Sequence, residues 1–215
     1  MKKIVVKVLI LFIGLAIAHL GVTLFLLADL GADPFNVLIQ GLFRTLSVAS
    51  GWEVLTHGYT HVAVSLLIIL VLLFTDRSYV KIGTVICMVC GGPIIDFFTL
   101  ILGGMIHSGN PFAVRIIVLA LGCVILAFGM TIVIKSDCGT GPNDLVAIVI
   151  SDKIKKPFGI VRIVVDVCFV LFGFFLGGIV GIGTLICAGL VGPVAGIFLP
   201  RSEKLVHGIM KKCGV

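Results

Sequence analysis

The amino-acid sequence predicts an all-α integral membrane protein: six transmembrane helices plus two short re-entrant or interfacial helices, built as an inverted-topology internal repeat. Three observations predict it. Apolar residues make up 60% of the 215-residue chain and charged residues only 12%, about half the charged share of a soluble domain. Apolar runs long enough to cross a bilayer recur along the sequence. Two segments of the first half, 11–38 and 80–98, align with segments of the second. The first observation excludes a lone soluble domain, a disordered chain and a nucleic-acid-binding module. The net charge of +6 does not restore a nucleic-acid reading, because the basic residues cluster at segment ends. Lys2, Lys3 and Lys7 form one cluster, Lys153, Lys155 and Lys156 another, and Arg201, Lys204, Lys211 and Lys212 a third. Such clusters face anionic lipid on the cytoplasmic side.

The first span covers residues 4–28. It contains Ala16-Ile17-Ala18, which has the form of a signal-peptide cleavage site, but the apolar run continues well beyond it and reads as a retained anchor. Later spans are expected at 58–75, 80–104, 113–135, 158–177 and 180–200. The nearly apolar stretch from Pro157 to Pro200 would be about 66 Å long as one helix, twice the hydrocarbon thickness. It must fold back, and the glycines 177, 178, 181 and 183 mark the place. Residues 34–48 and 142–153 are too short and too polar for ordinary spans. Each begins with proline after a glycine-containing turn, which suits a first helical position.

With six crossings and a cytoplasmic N-terminus, nearly all loop and tail lysines and arginines fall inside, leaving Arg44 and Arg115 outside and Arg162 within a span. If the short helices also crossed, Arg77, Lys81 and Lys135 would move outside. The positive-inside rule therefore favours six spans in the plasma membrane with both termini cytoplasmic.

Residues 11–38 align with 119–146 at an offset of 108, pairing Gly14 with Gly122, Gly21 with Gly129, Asp29 with Asp137, Gly31 with Gly139 and Pro34 with Pro142. Residues 80–98 align with 180–198, pairing Gly83-Thr84 with Gly183-Thr184 and Gly92-Pro93 with Gly192-Pro193. The chain thus divides into a first membrane repeat (1–108), a second (109–200) and a basic tail (201–215). Three crossings per repeat is an odd number, so the second enters from the opposite side. Many channels and secondary transporters are built this way. The pathway is formed within one chain, or a homodimer shares it.

The segment Asp29-Leu-Gly31-Ala-Asp33-Pro34-Phe-Asn36, its echo Asp137-Cys-Gly139-Thr-Gly141-Pro142-Asn143-Asp144, and the Gly183-Thr184…Gly192-Pro193 segment resemble the YczE/YyaS/YitT family of bacterial multi-pass membrane proteins, most closely its YczE branch. The resemblance covers nearly the whole chain. It implies a bacterial membrane protein and carries no activity with it.

Ionisable groups within spans are costly and point to function. The short-helix openings present free N–H groups and a partial positive charge, suited to an anionic group. Asp29, Asp33 and Asn36 in the first, and Asp137, Asn143 and Asp144 in the second, are candidate substrate or ion ligands; Asp29 and Asp137 suit a cation or proton. Helix capping by Asp33 is the alternative. Asp96 lies deep in the third span beyond a proline break. Arg162 and Asp166, spaced i, i+4, share a helix face, and their repeat counterparts are His61 and Ser65. These nine residues form the candidate site for an unidentified small solute or ion. Glu53, His57 and His61 share helical spacing but read as interfacial polar residues, so no metal site is assigned. Cys87-Met-Val-Cys90 has redox spacing, yet only Cys87 recurs in the repeat, as Cys187, and packing is the better reading. No nucleotide-binding loop, metalloprotease motif or catalytic triad is present, and no cofactor or enzymatic activity is expected. The sequence therefore supports a transporter or channel, with a membrane accessory protein acting through partner contacts as the alternative.

Overall fold

A computed structural model describes residues 2–50 and 57–214, and these are helical with no strand among them. The helices are α1 (Lys2–Ala28), α2 (Pro34–Ser50), α3 (His57–Thr75), α4 (Ile82–Leu102), α5 (Phe112–Lys135), α6 (Pro142–Ile154), α7 (Phe158–Phe175) and α8 (Ile182–Lys212), with a 3-10 turn at Arg77–Tyr79. Glu53 of the predicted Glu53–His57–His61 stripe lies outside the described residues. A helix occurs close to the expected bounds of each predicted span and of both short helices. The difference is at the end: α8 continues through Pro193 and Pro200 to Lys212, about 46 Å in all. Its extension is held against α5. Ser202 Oγ lies 2.7 Å from Thr131 Oγ1, Lys135 donates to Glu203 at 2.7 Å, and Val206 packs with Ile10 and Ile132. These contacts outweigh the one backbone hydrogen bond that Pro200 removes.

Helices α1 and α5 form the central pair and run antiparallel. Lys7 meets Asp137 at one end, and Arg115 meets Asp29 at the other. Between them the backbones touch at the repeat-related glycines. A Cβ at Gly21 would lie 2.3 Å from Leu126 N, and one at Gly129 would lie 2.2 Å from Ala18 N. Small residues of this kind let membrane helices approach closely, where packing replaces the hydrophobic drive available in water. α4 packs on α1, and α8 on α5. α7 is held against α8 where Gly159 meets Gly192, and it also packs on α2 and α6.

The loops after α1 and α5 share one geometry. Asp29 and Asp137 adopt left-handed φ of 48° and 55°, and Gly31 and Gly139 follow at 138° and 121°. Aspartate tolerates the first conformation, and glycine is needed for the second. Each loop then docks on the opposite half: Gly183 N donates to Leu30 O at 2.9 Å, and Gly83 N to Cys138 O at 2.8 Å.

The short helices start inside the bundle and run outward to opposite ends. Pro34, Phe35 and Val37 of α2 are buried, whereas Arg44 and Thr45 are exposed. Phe35 stacks edge-on against Phe169, and Arg44 donates to Gly177 O at 2.7 Å, so α2 follows the last turns of α7. In α6, Pro142 is buried, Leu145 and Val149 pack on Leu72, and Asp152 accepts from Tyr79 at 3.1 Å. Among the described residues five helices are long and apolar enough to cross a membrane, and α3 contributes the shorter apolar stretch Thr60–Thr75. The bundle's outside is apolar, as at Leu66, Leu70 and Phe74 on α3 or Val85, Val89 and Leu100 on α4. Lipid suits such a surface and water does not.

Candidate ion or solute site

Arg162 sits one turn into α7 and is 7% exposed. Its Nε donates to Asp166 Oδ2 at 2.9 Å, and its Nη1 donates to Asp144 Oδ1 on α6. The same nitrogen faces Met130 Sδ on α5 at 3.8 Å. The i, i+4 pairing expected of Arg162 and Asp166 is present, and Asp144 joins it from the opening of α6. Asp166 is 1% exposed, and among the described residues its Oδ1 has no hydrogen-bond partner.

The first half reaches the same place. Asp33 caps α2, accepting from Asn36 N at 3.3 Å and from the Asn36 side chain. Both Asp33 and Asp144 lie within electrostatic range of Asp166. His19 of α1, with Nδ1 2.8 Å from Leu15 O, lies within range of Asp144. Two carboxylates, Asp144 and Asp166, therefore face one guanidinium, with Asp33 in electrostatic range of Asp166. The helix N-termini expected to welcome an anion already hold the chain's own carboxylates: Asp33 at the cap of α2, and Asp144 in the first turn of α6. The remaining imbalance is negative.

The other predicted residues stand apart from this cluster. Asp29 and Asp137 are exposed at opposite ends of the α1–α5 pair. Arg115 reaches Asp29 Oδ2 at 3.7 Å and also donates to Ala28 O and Asp29 O. Lys7 and Lys81 both hold Asp137, and their hydrogen bonds keep its carboxyl below the ordinary range. These pairs act as loop clamps. Asn143 stays beside Gly141 at the opening of α6. Asp96 is exposed on α4, where a Cβ at neighbouring Gly92 would touch nothing within 4 Å. Cys87 is buried against Leu11, Leu15 and Val133, with Cys90 packed beside it.

The clamping cations escaped the sequence reading although a signal existed. Lys7 and Arg115 are themselves related by the 108-residue offset, just beyond the aligned segment.

The two halves differ in one respect. Thr184 Oγ1 donates to Ala32 O at 2.6 Å and closes the α1–α2 loop onto α8. Its counterpart Thr84 Oγ1, buried beside Gly139, has no partner among the described residues, and neither does Thr140 Oγ1. At this unlatched end lies a cavity of about 360 Å³, lined by Tyr79, Lys81, Asp137, Thr140 and Asp152 among others. Its rim residues Lys81, Asp137 and Asp152 are exposed, so it opens at the end of the bundle that carries Lys7.

Residues 5–200 match a family described as "Family of unknown function (DUF6198)". The chain belongs to that family. Among similar proteins is the "Uncharacterized membrane protein YczE" of Bacillus subtilis (strain 168), 28% identical over 96% of this chain and 91% of the relative. The "Uncharacterized protein YyaS" of the same organism is 28% identical over 89% of this chain and 92% of its own. An "Uncharacterized protein" of Haemophilus influenzae is 26% identical over 92% and 85%. The family resemblance read from the glycine–proline motifs holds over most of the chain. No solved structure matches.

Proposed function

We propose that this protein is a transporter or channel for a small polar solute or ion, with its site between two halves inserted in opposite directions. The observation that carries the reading is the buried Asp144–Arg162–Asp166 cluster, approached by Asp33 and His19 from the other half. Ionic groups at this depth are costly, and in transporters they mark substrate or ion paths. Antiparallel α1 and α5 and the matched loop contacts support the inverted repeat. The reading takes six crossings of the plasma membrane, with α2 and α6 re-entering and both termini cytoplasmic. The Lys7 end is then the cytoplasmic end.

The unequal threonine latches give the exchange a structural form. Here the Thr184 latch is made and the Thr84 side is open to the cavity. In the alternate state Thr84 closes on Thr140 while Thr184 releases Ala32. The test uses a chain whose seven cysteines are replaced, bearing either Thr140→Cys or Ala32→Cys. An impermeant thiol reagent labels the first from the Lys7 side and the second from the opposite side. Removing the latch with Thr184→Val shifts the balance by about 1 kcal/mol, about fivefold. Labelling of Ala32→Cys then rises as that of Thr140→Cys falls. Two labelling levels that ignore Thr184→Val, or that rise together, contradict the reading. A partner-binding accessory role is favoured by one observation, the exposed Asp96 beside bare Gly92 on α4; it predicts no such reciprocity.

A further inference from the structure

We infer that the solute is a small cation bearing ammonium N–H donors, and that it enters through the cavity beside Thr140. The inference rests on the transporter reading and names its substrate class. Two stations along one short stretch of chain support it. Thr140 lines the cavity and carries a hydroxyl that is buried and unpartnered among the described residues. Four residues further on, Asp144 holds Arg162 and leads to Asp166, whose Oδ1 is likewise buried and unpartnered. Ionised Asp166 Oδ1 only accepts hydrogen bonds, whereas the Thr140 hydroxyl both donates and accepts. An N–H donor satisfies both atoms, whereas an anion leaves Asp166 Oδ1 unmet.

Charge selects in the same direction. The cavity lining contains Asp137 and Asp152 against Lys81, and Lys81 is already engaged by Asp137. In the inner cluster, Asp144 and Asp166 face Arg162, and Asp33 lies in electrostatic range of Asp166. Lys7, which also holds Asp137, balances the cavity rim, so the surplus of carboxylates over cations lies in the inner cluster. In a low-dielectric interior such a surplus is costly until a positive ligand offsets it. The cavity, at about 360 Å³, is of the size that holds small molecules. Helix dipoles oppose the same conclusion only weakly, because Asp33 and Asp144 already occupy the α2 and α6 N-termini.

The test measures the apparent melting temperature of the full-length protein in detergent against methylammonium, ethanolamine, acetate and glucose at matched ionic strength. A ligand of the folded state raises it in a saturable way. Methylammonium and ethanolamine are expected to stabilise, and acetate and glucose are not. Asp166→Asn, which keeps the side-chain shape, is expected to weaken the ammonium effect at least tenfold. Thr140→Val, which leaves every ion-paired residue in place, is expected to weaken it severalfold. Saturable stabilisation by acetate or glucose that depends on Arg162 overturns the cation assignment and leaves the transporter reading standing. Ammonium stabilisation unchanged in both variants, or no stabilisation by any probe, overturns the inference. Ammonium binding without the reciprocal thiol labelling described above upholds the ligand class and removes the transport role.

Discussion

Arg162→Ala is expected to destabilise the protein by about 3–5 kcal/mol, the usual result of removing one partner from a buried ionic group. Asp144 and Asp166 lose their shared guanidinium together, and Asp166 is 1% exposed, so neither water nor another described side chain replaces it. Arg162→Lys retains the charge but not the two-pronged geometry that serves Nε and Nη1 separately, and falls between. The triple variant Arg162→Met, Asp144→Asn, Asp166→Asn removes the charges as a set and recovers most of the stability while losing solute binding. Chemical unfolding in mixed micelles measures each. An Arg162→Ala protein as stable as the parent would mean that the cluster is not assembled as described.

The second large effect lies at the centre of the bundle. A Cβ at Gly129 would sit 2.2 Å from Ala18 N and 2.7 Å from Gly14 O, and these are backbone atoms that no rotamer change can move aside. Gly129→Val must therefore separate α1 from α5. Its cost is expected to exceed the roughly 1–3 kcal/mol of ordinary overpacking. The separation also pulls the Asp29 and Asp137 clamps from their cations. Gly189→Ala is the matched control, because a Cβ there touches nothing within 4 Å. It is expected to be neutral or to stabilise by about 0.5–1 kcal/mol through helix propensity. Equal stability of the two variants in the same unfolding assay would refute the close α1–α5 contact.

Much of this was legible in the sequence because each signal was local or repeated. Helix bounds followed from apolar runs and from Pro34 and Pro142, and the offset of 108 picked out glycines at which α1 and α5 meet. Arg162 with Asp166 was legible as an i, i+4 pair. Asp144 was less so: its contact with Arg162 depends on how the chain reverses at 155–157 between α6 and α7, and spacing alone does not fix that. Asp29 and Asp137 were read as ligands because their partners lie on the other half of the molecule. α8 outran its predicted end because tertiary contacts at Ser202, Glu203 and Val206 hold a helix that Pro200 would otherwise stop. The Thr84–Thr184 inequality could not be read, since both threonines stand in an Ile-Gly-Thr-x-Ile-Cys segment and the difference lies in which of them bonds the facing loop.

The proposed opposite insertion of the two halves is the premise of both the shared site and the exchange of latches, and a topology map tests it most directly. Single cysteines placed near residues 77, 106, 155 and 178, in the loops between helices, are labelled with an impermeant reagent from each side of oriented vesicles. Positions 77 and 155 are expected on the side of the N-terminus, and 106 and 178 on the other. If 77 and 155 lie on opposite sides, or either shares a side with 106, the halves are not inserted as inverted three-crossing units. The site between them would then have no exchange mechanism.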